Sequence, residues 1–401
     1  MPASPKPSST TPPPPPPPRP LPPPPPSPSL PPAPAPRPPP PPPPPTTTLP
    51  PVKPPMLSCT VGHQAVIKDS VPPDGTCDSI FYTDVFFNNK NYKIEPLYSD
   101  TAFKVVQSAA ATYSKTTFGT SMYPGTIGEL VRTKQQDIES AMTKLFNDNF
   151  VHFGMLNVDN IEDYDKLKDG PLQYLKIVGD FLTTPGHHCA LGVGLVDGKL
   201  GTLILDKAKL ATEHFPKITM MVIKVHTERA ENLGRLYPIA PNPDSVNTAN
   251  YITLSLPLLG TKVKQRLQEL TESGRRYALL SFAMFARTYR MPKRWTNAAD
   301  RNTTAQKGAI MEYRMVCGYS NIANEHQYQG SSYVANTTTK FLAIFDTTKN
   351  VKDMIGLRKK YEMPAKFGGI MAYRADMDDY AGSCGEGVFP RLKVLKSELL
   401  K

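Results

Sequence analysis

CALGVGLVD (Cys189–Asp197) and KITMMVIKVHTE (Lys217–Glu228) are nearly unbroken apolar runs. A strand with one wet face alternates apolar and polar residues. A continuous run instead fits a strand covered on both faces, the condition inside a parallel sheet. Parallel neighbours need a crossover between them, usually a helix, and reading outward finds that pattern. Upstream lie LQYLKIVGDFL (172–182) as helix, FVHFGMLNVDN (150–160) as strand and DIESAMTKLFNDN (137–149) as helix. The last of these puts Ile138, Ala141, Met142, Leu145 and Phe146 on one face. Further up come TTFGTSMYP (116–124) as strand, TAFKVVQSAAATYS (101–114) as helix, and the strands CDSIFYTDVFF (77–87) and MLSCTVG (56–62).

Downstream, residues 251–274 lead into helix, YALLSFAMFARTY (277–289) reads as strand and VKDMIGLRKKYEM (351–363) as helix. FGGIMAYRADMDD (367–379) closes the series as the eighth strand. This alternation predicts an α/β fold, a (β/α)8 TIM barrel, with a doubly wound open sheet as the alternative. No GxGxxG or GxxxxGK[ST] follows a strand, which argues against nucleotide binding. In a barrel the chemistry sits at the C-terminal strand ends. That directs attention to Thr83, Asp84, Met122, Tyr123, Asn157 to Glu162, His226, Arg287 and Tyr373.

The barrel is expected over residues 56–401, because the composition changes sharply at Met56. Of the 47 prolines, 33 precede it, in a segment with almost no large apolar residues. Residues 1–55 are therefore expected to be a disordered proline-rich tail, since they bury too little surface to offset the entropy of ordering. Polyproline runs make stiff spacers, and a PxxP ligand for SH3- or profilin-like partners is the functional alternative. The formal net charge is +11, and Lys6, Arg19, Arg37 and Lys53 in the tail supply four of those charges. Elsewhere basic and acidic residues are interspersed, so no nucleic-acid partner is expected.

No run of 18 apolar residues suggests a membrane span. The N-terminus lacks the charged start and apolar core of a signal peptide. The five cysteines show no CxxC or Cys/His spacing suited to zinc, and adjacent His187 and His188 are poor geometry for one metal. No metal or cofactor is expected.

KFGGIMAYRADMDDYAGSCGEGVFPRLKVLK (366–396) resembles the end of glycoside hydrolase family 18 chitinases. There a Gly-Gly, a hydrophobic strand and an Asp-Asp-aromatic turn precede a cysteine and a Pro-Leu helix. FLAIFDTTKNVKDMIGLRKKY (341–361), FARTY (285–289), MEYRMVC (311–317) and the opening CTVG…PPDGTCDSIFYTDV resemble other segments of that family. The resemblance covers about Leu57 to Lys401. It implies disulfides Cys59–Cys77 and Cys317–Cys384, with Cys189 free. Two disulfides imply an oxidising compartment, so an extracellular or lumenal location is expected. The alternative is a cytosolic chain with five reduced cysteines. The sequons at Asn302 and Asn336 are glycosylation candidates compatible with the first.

Family 18 enzymes carry DxxDxDxE on the fourth strand. The glutamate protonates the glycosidic oxygen while the substrate's own N-acetyl carbonyl attacks the anomeric carbon. Alternate strand residues face the same way, which aims the acids into the barrel mouth. Aligned without gaps, Asn157 and Asp159 stand at aspartate positions and Ile161 at the glutamate. Isoleucine donates no proton. Glu162 is displaced by one residue, which along a strand means the opposite face unless a bulge re-aims it. Thr60 and Val61 replace the aromatic after the first-strand cysteine, Asp84 replaces a Phe, and Met315 replaces the glutamate of the Tyr-Tyr-Glu segment. Tyr373 takes the place of the platform Trp, while Arg287 and Tyr82 are retained.

The resemblance therefore implies a catalytically inactive chitinase-like protein that recognises an N-acetylglucosamine oligosaccharide or a protein, through Asp159, Tyr373, Arg287, Tyr82 and Tyr123. One alternative is an active glycosidase using Glu162, or His226, in an altered site. Another is an interaction protein displayed by the proline-rich tail. The insertion that walls the family groove is expected between Met291 and Lys340, in shortened form.

Overall fold

The computed structural model describes residues 56–158, 170–194, 217–224, 226, 277–294, 296, 305–319, 326–328, 331–360 and 367–401. The proline-rich tail, the helix read over 251–274, Asp159, Ile161, Glu162 and Asn302 lie outside them. In chain order come β1 (Met56–Val61), β2 (Ser79–Asn88), β3 (Lys93–Pro96), α1 (Asp100–Thr112), β4 (Thr117–Met122), α2 (Gln135–Asn147) and β5 (Phe150–Val158). Then follow α3 (Gly170–Phe181), β6 (Cys189–Gly194), β7 (Met220–Lys224), β8 (Tyr277–Ala283), β9 (Phe285–Arg290), β10 (Lys307–Glu312) and α4 (Tyr313–Tyr319). The chain ends with β11 (His326–Tyr328), β12 (Ser331–Asn336), β13 (Phe341–Phe345), α5 (Thr348–Lys360), β14 (Phe367–Tyr373) and α6 (Pro390–Leu399).

Eight parallel strands close into a barrel in the order β1-β14-β8-β7-β6-β5-β4-β2, and β1 pairs with β2 to shut it. The fold is the (β/α)8 barrel that the apolar runs predict. The cluster inside it is built from Met56, Phe81, Leu156, Met220, Leu279 and Met371 with their neighbours, all of them buried. A larger cluster lies between the strands and the helices. In α2 the buried residues are Ile138, Ala141, Met142 and Leu145, and Phe146, the fifth residue of the stripe read from the sequence, is partly buried against the same core. Helix α1 begins where the Ser99 side chain accepts a hydrogen bond from the Ala102 amide.

Two glycines are required by close approach. Gly369 has φ +138°, and a Cβ there would lie 1.8 Å from the Met56 carbonyl oxygen, so the register shift at Phe367/Gly369 admits no side chain. A Cβ on Gly154 would lie 2.2 Å from the Ala190 carbonyl oxygen of the next strand.

The stretch 277–289, read as one strand, is two. β8 ends at Ala283, the Met284 amide donates to the Tyr373 carbonyl, and β9 joins a different sheet. That second sheet is antiparallel, in the order β10-β9-β13-β12-β11, with its own apolar cluster around Phe285, Tyr289, Tyr313, Leu342 and Ile344. It begins at Phe285 and reaches Phe345, beyond both expected bounds of the insertion. FLAIF therefore belongs to this sheet and not to the barrel. The disulfides Cys59–Cys77 and Cys317–Cys384 are both present, with Cα–Cα distances of 6.0 and 5.5 Å. Cys189 is free and buried. No helix among the described residues is long and apolar enough to cross a membrane.

Candidate functional site at the barrel mouth

The C-terminal ends of β1, β2, β5, β7 and β14 meet at one end of the barrel. A bulge in β2 between Tyr82 and Val85 puts Asp84 at φ +64°. There its carboxylate accepts from Asn157 Nδ2 at 3.2 Å. Thr83 Oγ1 lies 3.3 Å from the Val61 carbonyl, which ties β2 to β1. On β5 the register against β6 slips between Met155 and Val158. Leu156 belongs to the cluster inside the barrel, and Val158 to the one outside it. An irregularity thus exists on this strand, and it spans Leu156 and Asn157, ahead of Asp159. The described strand ends at Val158, so the placement of Asp159, Ile161 and Glu162 is not part of this geometry.

Tyr373, at the end of β14, is fully buried, and its hydroxyl donates to the Leu156 carbonyl at 2.8 Å. The ammonium of Lys224, itself 0% exposed, sits 4.7 Å from the Tyr373 ring centre. His226 packs against the same ring at 4.6 Å and shares a 2.6 Å hydrogen bond between its Nδ1 and Ser281 Oγ. Lys224, His226 and Ser281 converge here from β7, the residues following it and β8. A cation against an aromatic face is held by the ring quadrupole, more strongly when desolvated. Sequence reasoning passed over Lys224. The available signal was a lysine inside a run otherwise fit only for burial on both faces.

Beside this group, Arg374 takes a left-handed conformation at φ +59°. Its guanidinium forms a two-armed pair with Asp376, with Nε at 3.2 Å and Nη2 at 3.0 Å. Its amide donates to Thr60 Oγ1 at 2.9 Å. His63 lies nearby, and burial together with the Arg374 charge pushes its pKa down, so the imidazole is neutral.

Arg287 is not at a barrel strand end. It lies within β9, paired in register with Ile310 and Ile344. It shares a face of that strand with Phe285, whose ring is 5.9 Å from His226, so this face leads to the mouth. Arg287 is 1% exposed, and its Nε, Nη1 and Nη2 make no hydrogen bond with any described residue. Asp376 is engaged by Arg374, and Asp346 Oδ1 has no partner among the described residues. A buried guanidinium whose three nitrogens meet no described acceptor is rare and marks a place where an acceptor, a water included, fits.

The other candidates are dispersed. Tyr82 faces the helix layer, where its ring packs edge-on against Phe103 at 5.1 Å and its hydroxyl reaches the Ser99 carbonyl. Burial, reinforced by the Asp84 charge, raises its pKa. Tyr123 is half-buried just past β4, its amide bonded to the Val85 carbonyl. Asn336 is exposed on the β12–β13 turn, with its Oδ1 accepting from the Thr338 and Thr339 amides. Among the described residues no cluster of His, Cys, Asp and Glu could hold a metal ion.

Barrel, second sheet and disulfides together define a known class of architecture. No protein-family model matches the chain, and no curated protein matches it in sequence. Solved structures do. Human YKL-39, described as a pseudo-chitinase with retained chitooligosaccharide binding properties, superposes with a TM-score of 0.61 at 13% identity, over 86% of this chain and 100% of its own. The immunomodulatory active chitinase TsES1 of Trichuris suis gives 0.64 at 12% identity over the same shares. The Group IV chitinase of Ostrinia furnacalis gives 0.60 at 13%, again over 86% and 100%. The chain thus has the chitinase-like fold of glycoside hydrolase family 18, shared by hydrolases and by a pseudo-chitinase.

Proposed function

We propose that this protein is a non-catalytic chitinase-like recognition protein that binds N-acetylglucosamine oligosaccharides at the barrel mouth. The observation that carries this reading is the seating of Lys224 on the Tyr373 ring. A sugar seated for cleavage would stack on that aromatic face, and Lys224 Nζ already occupies it with His226 against the same ring, so an oligosaccharide is held without stacking on Tyr373. The sequence agrees, because Ile161 stands where the proton donor belongs. General acid catalysis is worth about 10²–10⁴-fold, and isoleucine supplies none of it. Arg287, whose three nitrogens bond to no described residue, is the residue we assign to ligand hydroxyl or N-acetyl carbonyl groups. The neighbouring structures support an oligosaccharide ligand, since YKL-39 is described as binding chitooligosaccharides. Two disulfides fit an extracellular or lumenal site of action.

The test is incubation of the full chain with chitohexaose, read by mass spectrometry, beside titration calorimetry. The hexamer is expected to survive intact with wild type and with Glu162→Gln. Arg287→Ala is expected to weaken binding by about tenfold or more, the loss of hydrogen bonds from a charged donor. Shorter oligomers that vanish in Glu162→Gln would make Glu162 the acid and overturn the reading.

A further inference from the structure

The second sheet carries a charged surface that the mouth does not use. At one end of β9, Arg290, Lys293, Arg294 and Lys340 surround a depression of about 380 Å³ that no carboxylate of the described residues lines. A second depression of about 350 Å³ shares Arg290, Thr339 and Lys340 with it and continues over Gly308 and Phe341, so the two form one track. The frame beneath is hydrogen-bonded backbone. The Met291 amide donates to the Lys340 carbonyl and the Gln306 amide to the Arg290 carbonyl, each at 2.8 Å. The register sets Arg290 between Lys307 and Phe341 on the two flanking strands. Arg290, Lys293 and Arg294 are exposed and form no ion pair with any described residue. Like charges gathered on a rigid frame repel one another, and a multivalent anion relieves that repulsion.

We propose that this track binds a sulfated or carboxylated polysaccharide. The lining decides among polyanions. Single-stranded nucleic acid needs exposed rings on which bases stack, whereas among the described lining residues Tyr289 is 3% exposed and Phe341 is half-buried. A membrane surface needs apolar groups free to insert, whereas Met291 is 1% exposed. What the track offers is guanidinium and ammonium groups beside the exposed Thr339 hydroxyl, suited to sulfates or carboxylates spaced along a sugar chain. This site is independent of the mouth and of any chitooligosaccharide bound there.

The experiment titrates the full chain with a fluorescent heparin dodecasaccharide and follows anisotropy. Wild type binds, and binding falls steeply when salt rises from about 0.05 to 0.3 M. Combined Arg290→Ala, Lys293→Ala and Arg294→Ala weakens binding by about tenfold or more. Lys104→Ala, Lys144→Ala and Lys393→Ala together remove the same charge from exposed helix positions and change it by less than about twofold. Arg294→Glu alone, on an exposed residue past the end of β9, gives the same direction of change should the triple variant misfold. Unlabelled chitohexaose does not compete. No wild-type binding, or equal loss in both triple variants, overturns the proposal. So does tighter binding of single-stranded DNA or of phosphatidylserine vesicles that the same three substitutions abolish.

Discussion

His188 sits just ahead of β6, at the opposite end of the barrel from the mouth, stacked 5.0 Å from His152. His152 is fully buried, and its Nδ1 accepts the His188 amide at 3.0 Å. The proton of the neutral ring must therefore sit on Nε2, which faces Thr117 Oγ1 at 2.7 Å. Burial, with His187 adding to it, pushes the His188 pKa down to about 4. Burial and the neighbouring histidines likewise hold His152 well below its ordinary value. Both folded values lie under the unfolded one near 6.5. The stability these residues contribute is complete above about pH 6.5 and is lost as pH falls toward 4, by roughly 3 kcal/mol for His188. Asp346 runs the other way. Burial raises its pKa to about 6, so its contribution is full below the unfolded value near 3.8 and is lost as pH rises through 6. His188→Phe keeps the stacking and removes the titration. The urea midpoint of that variant is expected to fall less between pH 7 and pH 4.5 than wild type's, and parallel curves would refute the assignment.

Among the elements, the two bridges constrain loops of different size. Cys59–Cys77 spans 18 residues and Cys317–Cys384 spans 67. Loop-closure entropy predicts losses of about 3 and about 4 kcal/mol on replacing each pair by serine. Urea unfolding of the two double variants should rank them in that order, and the reverse order would show that native packing outweighs chain entropy. The barrel strands were legible because burial on both faces leaves an unbroken apolar signature, as in β6 and β7. The break at Met284 was not, because Ala283, Met284 and Phe285 are all apolar whichever sheet they join. The short β3 and β11 went unread because Lys93–Pro96 and His326–Tyr328 are too brief and too polar to show a period. At the site, the replacement of the acid by Ile161 rests on the spacing alone, because the described strand ends at Val158. The occupant of the mouth was not legible, since a lysine is read as exposed until its strand is placed.

At the scale of the whole molecule, Arg391 joins the parts. It is fully buried in the first turn of α6, where Nε donates to Asp378 at 2.7 Å, Nη1 to the Asp346 carbonyl and Nη2 to the Met284 carbonyl. Its plane lies 4.0 Å from the Tyr313 ring of α4. One side chain thus holds the last helix, the hinge between β8 and β9, and the second sheet. Arg391→Ala leaves the Asp378 carboxylate buried without its partner and is expected to cost about 3–5 kcal/mol in urea unfolding. Lysine lacks the planar fork and should recover little of that. Recovery by lysine would mean that charge alone matters. Barrel closure also has a temporal meaning. β1 is flanked on one side by β14, with Met56 opposite Gly369, and Asp78 is paired with Lys396 of the final helix. A ribosome adding about 5–20 residues per second needs roughly 15–60 s to travel from one partner strand to the other. Throughout that interval the first strand has an open hydrogen-bonding edge, and the nascent chain is an unfinished sheet in need of protection until β14 emerges.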